Sequence, residues 1–162
     1  MTTASIHLGT EQETRQLAER IAPLLRPGDT LLLVGEIGAG KTFFARALIQ
    51  ARLRAAGMSE DVPSPTFTLV QTYSDGVHEL WHADLYRLGS PDEIVELGLD
   101  EAFESAICLI EWPEKLGSLA PPDPLQLTFE AGSTETERRV HLNTPGQWRA
   151  RLAHLQGASL VD

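Results

Sequence analysis

A chain of 162 residues with 42% hydrophobic and 22% charged side chains has the composition of one soluble globular domain and lacks the length for two comfortable ones. Its net charge of -10, from 23 acidic and 13 basic side chains, leaves no basic face to neutralise phosphates, so direct nucleic-acid binding is not expected and a protein partner or simple solubility is the better use of the charge. No apolar run approaches membrane-spanning length, "MTTASIHLGTEQETR" lacks a secretory pattern, and the lone Cys108 cannot form an internal disulfide, so no membrane association and a cytoplasmic location are expected.

"SIHL" (5–8) reads as a short strand. "GTEQETRQLAERIAPLL" (9–25) predicts a helix, with Thr10 and Glu13 spaced as a capping box and Leu17, Ile21, Leu24 and Leu25 at helical intervals. The continuous apolar run "TLLLVG" (30–35) predicts a strand buried on both faces. A helix follows in "KTFFARALIQARLRAA" (41–56), closed by Gly57. "FTLVQTYS" (67–74) and "VHELWHADLY" (77–86) are strand-like and joined at Asp75-Gly76, a hairpin signal. "SPDEIVELGL" (90–99) predicts a helix with Ser90 as N-cap, Pro91 at the first helical position and acids in the first turn. "AICLIEW" (106–112) is a second buried strand, in which Cys108 reads as a small core hydrophobe. "LQLTFEAG" (125–132) and "RRVHLNT" (138–144) form a second hairpin, and "PGQWRARLAHL" (145–155) a terminal helix. The expected fold class is α/β: a mixed β-sheet flanked by helices, with β-hairpins, as a single domain over residues 1–162.

The segment "GEIGAGKT" matches G-x-x-x-x-G-K-[ST] where that pattern has physical meaning, after a buried strand and opening a helix. A chance match in a chain this long has a probability of roughly half a per cent at background residue frequencies. Glycines let backbone N–H groups turn inward as an anion nest, and the helix N-terminus adds free donors and a positive dipole end. The pattern predicts a nucleoside triphosphate site built from Gly38, Ala39, Gly40, Lys41, Thr42 and Phe43, with Lys41 on the β- and γ-phosphates and the Thr42 hydroxyl on magnesium. Glu11, at the start of the first helix, and the C-terminal hairpin are candidates for the base.

A magnesium site of this kind takes a carboxylate from the end of a neighbouring buried strand. Glu111 ends "AICLI" and Asp84 ends "HELWHA"; a carboxylate at either place is also found merely solvated or capping a helix. In "VPSPTFTLV" two prolines stiffen an extended entry to a strand, and Thr66 is either a γ-phosphate sensor or ordinary turn chemistry. Arg87, Arg138 and Arg139 are the arginines with a prospect of reaching the phosphates.

"GEIGAGKTFFARAL", "SPTFTLVQTY", "HADLYRL" and "LIEWPEKLG" occur in the order and spacing of one family, and the chain closely resembles TsaE, the bacterial ATPase needed for threonylcarbamoyladenosine formation in transfer RNA. The resemblance runs from about Thr10 to Gly117, with the last 45 residues alike only in general character. It implies a P-loop fold that binds ATP or ADP with Mg2+, hydrolyses ATP weakly alone, and acts on a TsaB–TsaD complex to support its turnover. By matching motif it implies that Lys41 and Thr42 hold phosphate and metal, that Asp84 and Glu111 are the site's acids, and that Trp112 matters for activity. Glu111 is read as the magnesium-side carboxylate and Asp84 as the group that polarises water, with the reverse assignment left open. The family's usual "GDLGAGKTT" differs here at Glu36, Ile37 and Phe43, and Phe43 removes a second hydroxyl after Thr42. A small-molecule kinase would need an arginine-rich lid, and a GTPase an Asn-Lys-x-Asp motif; neither pattern is present. A nucleotide-gated adaptor with incidental hydrolysis is the remaining rival.

Overall fold

The computed structural model describes residues 2–58, 61–65 and 68–153. Seven strands form one sheet in the order β1-β7-β6-β2-β5-β4-β3, where β1 is Thr2–Leu8, β2 Thr30–Val34, β3 Val70–Ser74, β4 Glu79–Asp84, β5 Ile107–Glu111, β6 Leu125–Ala131 and β7 Arg138–Thr144. The central β2 runs parallel to β5 and β6, and β4 parallel to β5. The pairs β3–β4, β6–β7 and β1–β7 are antiparallel, which makes the sheet mixed. Both expected hairpins are present. β1 is longer than "SIHL" and pairs along its whole length with β7.

Strand alternation sorts the core onto two faces. Leu31 and Leu33 of β2, with Ile107 and Leu109 of β5, pack with α1 (Glu11–Ile21) and α2 (Lys41–Ala55). Leu32, Cys108 and Ile110 point the other way, against Ile94, Leu99 and Phe103 of α3 (Asp92–Leu97) and α4 (Leu99–Ser105). Cys108 is fully buried, and desolvation pushes its thiol up to about 12, so it is the inert core residue that its setting predicted.

The ends of α1 follow from its sequence. Thr10 Oγ1 accepts from the Glu13 N–H at 3.1 Å, while Glu13 Oε1 reaches back to the Gly9 N–H at 2.6 Å, a capping box shifted by one residue on its return arm. The helix stops at Ile21 rather than Leu25, because Pro23 has no N–H to donate and Ala22–Leu24 tighten into a 3₁₀ turn.

Residues 90–99 depart further from expectation. The helix begins at Asp92, one residue late, and Ser90 caps nothing with its side chain. Glu93 Oε1 takes the N–H groups of Gly89 and Ser90 at 2.6 and 3.1 Å instead. Gly98, at φ +83°, then breaks the helix and α4 follows, an element the sequence pattern did not show. A 3₁₀ segment at Pro113–Leu119 is also unanticipated.

The terminal helix α5 (Gln147–Arg151) is anchored at the end of the sheet remote from the glycine-rich turn. Arg151 Nη1 and Nη2 each donate to an Asp29 oxygen at 2.7 Å, Nη1 also reaches the Leu24 carbonyl at 2.8 Å, and the guanidinium lies 3.9 Å from the Trp148 ring centroid. Both side chains of the pair are 8% exposed, so removing one strands a buried charge. Arg151→Ala is expected to cost about 3 kcal/mol, and a double Asp29→Asn/Arg151→Met chain to regain most of it. Urea unfolding checks this; a single-mutant loss below about 1 kcal/mol would show that the pair does not clamp the helix.

Candidate functional site

β2 ends at Val34, and residues 35–40 turn the chain back into α2. The turn needs its glycines: Gly35, Gly38 and Gly40 have φ of +151°, +83° and +104°. A Cβ on Gly35 would lie 2.7 Å from the Phe129 carbonyl oxygen, so β6 closes one wall of the turn. Gly40 is the left-handed N-cap of α2, with no side-chain cap and no acidic residue in the helix's first turn. The N–H groups and positive dipole end at this point therefore face the cleft without a competing carboxylate from their own helix.

Lys41 is only 4% exposed. Its Nζ donates to the Gly35 carbonyl at 2.5 Å and stands 3.5 Å from the centroid of the Trp112 ring. Burial pushes this ammonium below its usual value, against the opposing pull of Glu111, Asp84, Glu114 and Glu36. Beside it, the Thr42 hydroxyl donates to Glu111, 2.8 Å from Oε1 and 3.0 Å from Oε2. Glu111 is 2% exposed at the last position of β5, and its Oε2 is also 2.7 Å from Nε2 of the fully buried His82. Register places Asp84, the last residue of β4, beside Glu111, and Asp84 Oδ1 accepts from the Tyr86 N–H at 3.1 Å.

Trp112 turns into the left-handed region (φ +59°) just before Pro113, an uncommon conformation for a bulky residue. Its ring meets Tyr86 at 4.9 Å between centroids, tilted by 48°. Trp112, Tyr86, Phe43 and Ile37 form the apolar parts of a cleft of about 510 Å³, whose polar lining includes Lys41, Thr42, Asp84 and Glu111. Arg138 leans over the turn from β7; its Nη groups donate to the backbone carbonyls of Gly38 at 3.0 Å, Glu135 at 2.7 Å and Glu137 at 2.8 Å, and its buried Nε has no hydrogen-bond partner among the described residues.

The structure thus brings Gly38, Gly40, Lys41, Thr42, Phe43, Asp84, Glu111 and Trp112 to one cleft. Ala39 is buried beneath the turn. Phe43 also lies under the Arg15 guanidinium at 5.2 Å. Glu11 is exposed in the first turn of α1 and is not among the cleft-lining residues, so it makes no visible contribution to the site. Thr66 lies outside the described residues. His82 and Tyr86 are members the sequence reading missed. Alternation was the available signal for His82, since it stands two positions before Asp84 on the same strand face.

Magnesium takes hard oxygen ligands, and neighbouring ligands in its octahedron lie about 3.0 Å apart. The Thr42 hydroxyl and the Glu111 carboxylate oxygens already have that separation, so the donor set fits the ion. Among the described residues no group of three His, Cys, Asp or Glu could hold a metal.

The family model described as "Threonylcarbamoyl adenosine biosynthesis protein TsaE" matches residues 8–140, and so extends into the second hairpin beyond the stretch whose motifs carried the resemblance. The chain is 39% identical over 155 residues to the "tRNA threonylcarbamoyladenosine biosynthesis protein TsaE" of Rickettsia felis, covering 96% of this chain and 88% of that protein. It is 40% identical over 128 residues to the Bacillus subtilis protein of the same description, covering 78% and 77%. Among solved structures, the crystal structure of Bacillus subtilis YdiB superposes with a TM-score of 0.78 at 28% identity, over 96% of this chain and 95% of that one.

The tight fit of Gly35 against Phe129 gives a test of the turn. Gly35→Ala is expected to lose about 2 kcal/mol of stability, since a methyl there meets backbone and the backbone angle is strained for an L-residue. Chemical unfolding measures it, and an unchanged midpoint would show that the turn is not held in this shape.

Proposed function

The chain belongs to the TsaE family of tRNA threonylcarbamoyladenosine biosynthesis proteins, and from that premise we propose that it binds ATP or ADP with Mg2+, hydrolyses ATP weakly by itself, and acts on a TsaB–TsaD-like complex to support that complex's turnover. The observation that carries the proposal is the junction of α2 and β5, where a glycine turn, a buried lysine, a hydroxyl and a carboxylate converge on one cleft.

In this reading the N–H groups at the start of α2 hold the phosphates, and Lys41 leaves the Gly35 carbonyl to meet them. Thr42 and Glu111 would hold magnesium, which would supply positive charge to neutralise the phosphates. Asp84 stands on the neighbouring strand end and orients water. The existing bond between Thr42 and Glu111 supports this division over the reverse one. Trp112 covers the Lys41 ammonium on one side, and Tyr86 packs against the Trp112 ring at the same wall of the cleft.

Slow hydrolysis in isolation follows from charge. Four carboxylates, Glu111, Asp84, Glu114 and Glu36, act on Lys41, while the Nη groups of Arg138 are held by carbonyl oxygens. Charge developing on the transferred phosphoryl is therefore incompletely compensated until another chain contributes. The net charge of -10 suits a protein partner better than direct contact with RNA.

Lys41→Ala is expected to keep the fold, weaken ATP affinity by about tenfold or more, and abolish hydrolysis. The companion measurement is ATP turnover by the unmutated chain, alone and with a TsaB–TsaD pair, with magnesium present or chelated. Unaltered nucleotide affinity in folded Lys41→Ala protein would remove the phosphate assignment, and turnover that ignores the pair would remove the partner.

A further inference from the structure

We infer that His82 is a positioning residue for this cleft: its imidazole locks the Glu111 carboxylate in the one orientation from which that group meets Thr42 and a magnesium ion. The inference deepens the proposed function and rests on its assignment of Glu111 to magnesium.

His82 is fully buried in β4, and Glu111 is 2% exposed in β5. An ionised carboxylate can only accept, so the 2.7 Å contact requires the proton on His82 Nε2. Thr42 Oγ1 donates to the same carboxylate from α2. Donors on two different elements thus fix a group that would otherwise rotate about its last bond. The parallel register of β4 and β5 makes the geometry possible: His82 is level with Leu109, one step back from Glu111 on the shared face, so its ring reaches forward to the carboxylate.

His82 Nδ1 is buried and has no hydrogen-bond partner among the described residues. Here only the nitrogen that faces Glu111 is used. Ligand-orienting partners behind metal-binding groups typically change metal affinity when removed, even though they never touch the ion.

The geometry makes a distinction between two amides. Gln places its side-chain nitrogen near the position of histidine Nε2, whereas Asn reaches only as far as Nδ1, the unused atom. The experiment titrates full-length wild-type, His82→Asn, His82→Gln and Glu111→Gln proteins with a fluorescent ADP analogue, in magnesium and in chelator, and records the thermal midpoint of each. His82→Asn is expected to lower the magnesium dependence of ADP binding about 10-fold and leave affinity in chelator unchanged, while His82→Gln stays within roughly threefold of wild type. Should His82→Asn fail to fold, His82→Leu takes its place with the same expectation. Equal magnesium dependence in His82→Gln and the variant lacking the donor, with Glu111→Gln clearly impaired, would overturn the inference. If Glu111→Gln itself keeps full magnesium dependence, the metal assignment falls first and the inference falls with it.

Discussion

The hydrogen bond from Thr42 to Glu111 joins two parts of the molecule that the chain separates by 69 residues. One end belongs to the first turn of α2, whose direction is set by the glycines before it. The other belongs to the last residue of a strand buried on both faces. A carboxylate at 2% exposure is costly without donors, and the cost makes the contact a constraint on the whole layout. β5 must end level with the start of α2, β2 must deliver the glycine turn between them, and β4 must bring His82 into line. Parallel pairing of β2, β5 and β4 meets all three demands at once, because parallel strands end on the same edge.

Much of this could be read from residue order. The glycine turn, its lysine and its threonine follow a local pattern whose geometry is set within a few residues. Thr10 with Glu13, and Asp75-Gly76, are similarly local, and both elements formed where their residue types placed them. Glu111 was legible because an apolar run stops at it and a proline follows two residues later. What escaped depended on distance along the chain. His82 meets Glu111 across 29 residues and a strand register that no local pattern fixes. Arg138 is a candidate for the site on sequence, but its hold on Gly38 spans 100 residues, from a hairpin whose placement beside β2 is a property of the sheet. The break at Gly98 was hidden for another reason: "VELGLDEAF" keeps apolar and acidic residues at intervals compatible with helix on both sides of the glycine.

The fold also separates the demands of stability from those of the cleft. The Asp29–Arg151 pair, Trp148 and the 3₁₀ turn at Ala22–Leu24 lie around the N-terminal end of β2, whereas the glycine turn lies at its other end. The strand between them, with Leu31, Leu32 and Leu33, is a close-packed strut. Strain at Trp112 is therefore carried by a scaffold whose anchoring contacts are elsewhere.

The resting position of Lys41 has a consequence for selectivity. Its ammonium is already satisfied by the Gly35 carbonyl and covered by the Trp112 ring. An incoming anion does not meet a bare cation; it must compete with an internal acceptor and with a ring that repels its own negative charge. If the cleft takes phosphates as proposed, a single small anion such as inorganic phosphate would gain too few contacts to win that competition, and chloride fewer still. A chain of phosphates would engage the helix N-terminus and the lysine in one event, with the helix contacts offsetting the exchange at the ammonium. The proposed site would then screen ligands by how many anionic groups they carry in a row, the lysine acting as a latch that opens only to the longer ones.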